Sequence, residues 1–195
     1  MAEVELPNPE ELEERRDKAF SRRVALTTAI YAVVLAIASL GGNNSMKDML
    51  LAQQQSSDQW AFYQAKVIRE HLYRAQKLVM EAELADAAAV RGPRQDRLEA
   101  LAKQFADEER RYNAEKKDIE QDAKRLEHER NVNRDRDPYF DYAEVLLQIA
   151  IVCSSVSILS TSRPMFWFSM ALALLGVVFT ANGFLLFFRF PFLHH

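Results

Sequence analysis

Apolar residues in this chain are concentrated in three stretches near its two ends, at residues 24–40, 143–160 and 165–188. A long segment rich in charged residues separates the first stretch from the second. A helix that crosses hydrocarbon about 30 Å thick needs roughly 17 to 25 apolar residues. None of the three stretches contains Lys, Arg or Asp, and Glu144 is their one acidic residue. The pattern predicts an all-α integral membrane protein with three transmembrane helices.

The orientation in the membrane follows from basic residues in the amphipathic tail at residues 1–23. Five of them precede the first span: Arg15, Arg16, Lys18, Arg22 and Arg23. Lys and Arg close to a span favour its cytoplasmic end, whereas nearby acids count for little. We therefore expect a cytoplasmic N-terminus, an extracytoplasmic segment at residues 41–138 and an extracytoplasmic C-terminal tail at residues 189–195. A signal peptide does not carry such a mixed acidic and basic start, so the first span is interpreted as an uncleaved anchor.

The segment at residues 41–138 is predicted to be an antiparallel helical hairpin of coiled-coil type. Gly and Asn at residues 41–44, Gly92-Pro93 and Asp137-Pro138 are expected to break helices. They divide the segment into two arms of similar length, residues 45–90 and 94–135. Equal arms return the chain to the membrane, because both rise about 1.5 Å per residue.

A seven-residue apolar repeat predicts which face of each arm packs in the seam of the hairpin. In the first arm the predicted seam is Ala61, Ala65, Ile68, Leu72, Ala75, Val79, Ala82 and Ala89. In the second arm it is Leu98, Leu101, Phe105, Tyr112, Ile119 and Leu126, with Glu108, Glu115, Asp122 and Glu129 at the intervening positions. So thin an apolar stripe leaves two explanations open: partial solvation, or packing on another copy or another protein.

Small and polar residues in the spans also predict packing. The first span carries a stripe of small residues that suits close helix approach in lipid: Ala25, Ala29, Ala32, Ala36 and Ser39. In the other spans Ser154, Ser157 and Asn182 are expected to hydrogen-bond between helices. A water-filled path lined by these three residues is the alternative.

An aromatic cluster in the first arm, Trp60, Phe62 and Tyr63, is a candidate partner-docking site. Anchoring of the first arm against the second is the simpler explanation, because aromatic side chains bury well in helix seams. The run from Ser57 to Lys66, between one N-terminal span and two C-terminal ones, resembles the bacterial family described as domain of unknown function 4337. This resemblance covers essentially the whole chain and implies a short bacterial membrane protein, so we expect the plasma (inner) membrane. It implies no reaction, ligand or functional residue.

Two acids at the entrance to the second span, Asp141 and Glu144, lie three residues apart and share a helix face. In an oligomer they would form carboxylate rings at the mouth of a cation pore. The alternative is that acids at this end complement the helix dipole, while Tyr139, Phe140 and Tyr142 form an interfacial aromatic belt.

Other chemistry has little support in the chain. No catalytic constellation, cofactor motif or metal-ligand spacing is present in the sequence, and the single cysteine, Cys153, has no partner in the chain. His194 and His195 are either native or the remnant of a tag. The formal net charge is −3 with interspersed signs, which disfavours nucleic-acid binding. We expect a non-enzymatic structural or interaction subunit that forms a homo-oligomer or joins other membrane subunits; the competing hypothesis is an oligomeric cation channel.

Overall fold

The computed structural model describes residues 9–87 and 92–188, and in these ranges the chain is helical without any strand. Helix α1 spans Pro9–Ala87, α2 spans Pro93–Ser160 and α3 spans Arg163–Leu185. Predictions for residues 1–8, for Ala89 and for the tail at 189–195 with His194 and His195 lie outside the described residues.

All three helices are long and apolar enough to cross a membrane. The most apolar 18-residue window has a mean hydropathy of 2.1 in α1 and of 1.9 in both α2 and α3. The all-helical class with three candidate spans is therefore confirmed.

The predicted helix break at residues 41–44 is wrong, because α1 continues through it. Glycine inside a helix costs about 1 kcal/mol relative to alanine, so its presence needs a reason. A Cβ atom on Gly41 would lie 2.5 Å from Cε1 of Phe140, and one on Gly42 would lie 3.2 Å from Cβ of Phe140. These glycines admit a neighbouring aromatic side chain rather than a turn.

The break predicted at Asp137-Pro138 is also wrong, since α2 contains Pro138 in its interior. A proline there removes one backbone hydrogen bond. The two residues that follow are almost completely buried, Tyr139 and Phe140. The Tyr139 hydroxyl donates a hydrogen bond of 2.9 Å to the Phe188 carbonyl oxygen. Packing of these aromatic residues offsets the cost of the proline.

The chain divides into two compact units. Unit 1 comprises residues 1–48 and 132–195, and unit 2 comprises residues 49–131. The core of unit 1 combines residues of α1, α2 and α3: Tyr31, Ala38, Ala143, Leu147, Ala150 and Ala173. A turn with Thr161 at a φ of 49° joins α2 to α3.

The face with which α1 packs in unit 1 differs from the predicted one. Val24, Tyr31 and Ala38 are buried at seven-residue spacing, whereas the first four residues of the predicted stripe are exposed: Ala25, Ala29, Ala32 and Ala36. Ser39 is half-buried. The buried face of α1 in unit 1 therefore combines one tyrosine ring with smaller side chains, while larger ones such as Leu26 and Ile30 are exposed.

In unit 2, residues 49–87 of α1 pack antiparallel on residues 93–131 of α2. The pairing is evident from contacts such as Ser56 Oγ with the Ala123 carbonyl oxygen at 3.5 Å and Arg130 with Gln53 at 2.8 Å. The hairpin prediction therefore holds for the described residues of this unit.

Candidate functional site

The hairpin of unit 2 uses a different face of α1 from the predicted one. All described members of the predicted seam are exposed: Ala61, Ala65, Ile68, Leu72, Ala75, Val79 and Ala82. The face that packs on α2 instead carries Ala52, Ser56, Tyr63, Glu70 and Tyr73. The prediction followed the more apolar stripe and was wrong for this arm.

The seam of α2 matches its prediction better. Leu98, Tyr112 and Leu126 are buried and Phe105 and Ile119 are half-buried. Leu101 is exposed, contrary to expectation. Tyr112 stacks on Tyr73 of α1, with ring centroids 5.5 Å apart and ring planes 11° apart. Aromatic packing therefore fills the middle of the hairpin.

Ion pairs explain why α1 turns its polar face inward. Glu70, which is only 2% exposed, accepts hydrogen bonds from Lys116 and from Asn113, the latter at 2.9 Å. Burial would raise the pKa of the Glu70 carboxyl, but the two donors and the charge of Lys116 outweigh it, so the pKa lies below its ordinary value. A buried charge paired in this way strongly favours one register.

Further pairs continue along the same seam. The Glu109 carboxylate accepts a hydrogen bond of 2.8 Å from Arg74 and lies 3.4 Å from Lys77. The hydrogen bond from Arg74 is the main cause that lowers the pKa of Glu109. Lys66 pairs with Glu115 and holds the pKa of that carboxyl down as well. Polar complementarity thus takes the place of a continuous apolar seam.

The structure separates the members of the aromatic cluster. The Trp60 indole donates a hydrogen bond of 2.9 Å to Glu127 on α2, and its ring meets Tyr63 edge-on. Both residues are half-buried in the hairpin, whereas Phe62 is exposed. Phe62 is therefore the member of the cluster that a partner can reach.

The inward turn of the polar face leaves a continuous apolar surface on α1, which we call the outer stripe. It consists of the exposed predicted seam with two exposed flanking residues: Ala61, Ala65, Ile68, Leu72, Ala75, Val79 and Ala82, flanked by Phe62 and Leu78. The larger side chains on it are between 53% and 68% exposed. Monomeric proteins rarely expose contiguous apolar patches of this kind without a binding role.

The candidate pore-mouth acids lie in unit 1. Asp141 is exposed, and Glu144 is half-buried beside Gly42, where a Cβ atom would lie 3.8 Å from its Oε1 atom. One turn earlier, burial and then the nearby charge of Asp141 raise the pKa of Asp137. In the single chain these acids line the helix surface, and the carboxylate ring stays a prediction.

The polar residues of the spans have partners within unit 1. The Ser154 hydroxyl lies 2.6 Å from that of Thr28, which links α2 to α1. Ser157 donates to the Ser162 carbonyl oxygen at 2.9 Å. The side chain of Asn182 bonds both the N–H and the carbonyl oxygen of Phe188. Of these three residues, Ser154 makes the predicted contact between helices, whereas Ser157 and Asn182 bond backbone groups that follow their own helices.

Within the described residues, no group of three or more His, Cys, Asp or Glu side chains could hold a metal ion. The comparisons with known proteins bear on the family alone. The family model of the domain of unknown function DUF4337 matches residues 20–186. The chain belongs to this family. No curated protein and no solved structure matches the chain.

Proposed function

We propose that this member of the DUF4337 family is a non-enzymatic, membrane-anchored interaction subunit that assembles with further copies of itself through the outer stripe. The observation that carries the proposal is the exposure of Ile68, Leu72 and Val79 on the hairpin. In this role the three spans hold the chain in the inner membrane of a bacterium. The N-terminus is cytoplasmic and the hairpin extracytoplasmic.

A second copy suits the outer stripe because the spacing repeats as in a coiled coil. Ala65, Leu72 and Val79 alternate at intervals of three and four with a second row, Ala61, Ile68, Ala75 and Ala82. This is the apolar repeat with which identical helices interlock. The charged residues beside the stripe include Arg69 and Glu83, which have opposite signs. They therefore do not form a run of like charges that would repel a second copy.

Membrane anchoring favours this association, because the free energy from the outer stripes of two copies is similar to the cost of bringing the copies together. Complete burial of a Val, Leu, Ile or Phe side chain contributes about 1.5 to 3 kcal/mol, so five half-exposed side chains contribute on the order of 5 kcal/mol per copy. Free association of two proteins costs roughly 4 to 15 kcal/mol. Copies that share one bilayer in one orientation start at a higher effective concentration, which reduces this cost. We expect assembly in the membrane or in lipid nanodiscs.

The test introduces charge into the outer stripe. The variant Leu72→Glu/Val79→Glu adds two acids to the stripe, and the control Gln104→Glu/Gln121→Glu adds two acids to exposed positions of α2. Native mass spectrometry of the full chain in nanodiscs counts the copies. The wild type and the control should be oligomers, and the stripe variant should be a monomer with unchanged helical circular dichroism.

Two results would contradict self-assembly. A monomeric wild type, or a stripe variant that keeps its copy number, removes the role of the outer stripe. A stoichiometric foreign chain in particles purified from the native membrane would instead make this protein an accessory subunit of another complex.

A further inference from the structure

Three arginines line a cavity of about 400 Å³ in unit 1. Arg16 and Arg23 come from α1, two helical turns apart, and Arg163 is the first residue of α3. The remaining wall is largely aromatic, with Phe20, Phe166 and Trp167. Phe20 and Phe166 meet edge-on with centroids 5.9 Å apart and close one side.

The positive charge in this cavity is not neutralised by the described part of the chain. None of the three guanidinium groups takes part in an ion pair there, although Lys18 on the same segment pairs with Glu14 at 3.2 Å. Among the described residues, no acidic side chain lines the cavity. The start of α3 adds to the positive field, because its N-cap Ser162 makes no side-chain capping bond to the first N–H groups of the helix.

The position of the cavity along the helices indicates where its ligand lies. Arg23 directly precedes the apolar stretch that begins at residue 24, and Arg163 precedes the one that begins at residue 165. Where these helices cross a membrane, the cavity is at the level of the lipid headgroups. An aromatic wall with Trp167 is typical of that level.

We propose that this cavity binds the phosphate of an anionic phospholipid headgroup. Guanidinium groups pair with phosphate oxygens through two parallel hydrogen bonds, and several arginines around one phosphate favour it strongly. The aromatic wall suits the glycerol and upper acyl groups that follow the phosphate in a lipid. Anionic lipids are also abundant in the cytoplasmic leaflet, on which the basic tail is predicted to lie.

The experiment measures lipid binding to the full chain in mild detergent by native mass spectrometry, with phosphatidylglycerol and phosphatidylcholine as probes. The variant Arg16→Gln/Arg23→Gln removes two lining charges. Its matched control, Arg15→Gln/Arg22→Gln, removes two charges from the same segment at residues that do not line the cavity. Arg163→Gln removes the third lining charge from α3 and tests the same site without altering α1.

We expect the wild type to retain phosphatidylglycerol in preference to phosphatidylcholine. Arg16→Gln/Arg23→Gln and Arg163→Gln should each weaken this binding about tenfold, as the loss of a charge-assisted pair predicts, while the control stays close to wild type. Equal losses in the control, or no preference between the two lipids, would overturn the proposal. Displacement of the lipid by millimolar inorganic phosphate would assign the cavity to free phosphate instead.

Discussion

The ring of Phe140 occupies the space that glycines leave open in unit 1, and this packing makes a sharp stability prediction. Phe140 is 1% exposed. A Cβ atom on Gly41 would lie 2.5 and 2.7 Å from two ring carbons and 2.9 Å from the Phe184 ring, and one on Gly183 would lie 2.9 Å from Phe140. Carbon atoms pack best at about 3.5 to 4.0 Å. The ring is therefore enclosed from α1 and from α3.

Gly41→Ala is expected to destabilise the protein by about 1 to 2 kcal/mol. Overpacking of a core costs about 1 to 3 kcal/mol, and the better helix propensity of alanine returns up to about 1 kcal/mol. Phe140→Leu removes the two Phe140 ring carbons that clash but leaves the Phe184 ring 2.9 Å from the new Cβ atom, so in that background Gly41→Ala should be less destabilising than in the wild type. The coupling energy between the two changes should be about 1 kcal/mol, above the roughly 0.5 kcal/mol scatter of independent sites.

The assay is unfolding of the detergent-solubilised full chain in an SDS titration followed by circular dichroism. Gly92→Ala is the control, because a Cβ atom at Gly92 meets nothing within 4 Å. Its effect should stay within about 0.5 kcal/mol, as for surface substitutions. Additive effects of Gly41→Ala and Phe140→Leu, or a stabilising Gly41→Ala in the wild-type background, would refute the reasoning.

Three further predictions concern acids and orientation. The pKa values of Glu70 and Glu109 are lowered in the folded state, so the unfolded chain binds protons more readily than the folded one. The stability that these two carboxylates contribute is therefore present above about pH 5 and is lost as the pH falls through their folded-state pKa values. Thermal melts of the full chain should show this loss, and Glu70→Gln should reduce it. Asp137 has a raised pKa, so its contribution has the opposite sign and is lost as the pH rises through its folded-state value. Asp137→Asn should therefore stabilise the protein at pH 7 but not at pH 3, and equal effects at both pH values would contradict this. In a Cys153→Ser background, Gln104→Cys should react with a membrane-impermeant maleimide in spheroplasts and Arg15→Cys should not; the reverse result would invert the topology.

The three apolar stretches and the hairpin were predictable because hydropathy and breakers act locally. Gly92 does precede α2, and Pro93 is its first residue. The sequence did not show that the helices continue through residues 41–44 and through Pro138. The contacts that allow this continuity come from other parts of the chain. The Phe140 ring needs glycine on two helices, and only the folded unit brings those positions together.

The error in the seam of α1 has a similar cause. Two faces of this arm repeat every seven residues, and the apolar one appeared to be the better core. The inner face is chosen by its partners on α2, since Glu70, Arg74 and Lys66 find opposite charges there. Matching the positions of acidic residues in one arm to those of basic residues in the other would have predicted this inner face from the sequence.

The copy-to-copy contact of the outer stripe can be tested directly by disulfide trapping in native membranes. In a Cys153→Ser background, a cysteine that replaces Ala75 lies on the stripe, and one that replaces Gln104 lies on exposed α2. Two cysteines form a disulfide only when their Cα atoms approach within about 7 Å. The account predicts a covalent dimer for Ala75→Cys and a monomer for Gln104→Cys, and a monomer for Ala75→Cys or equal dimer formation at both positions would contradict it.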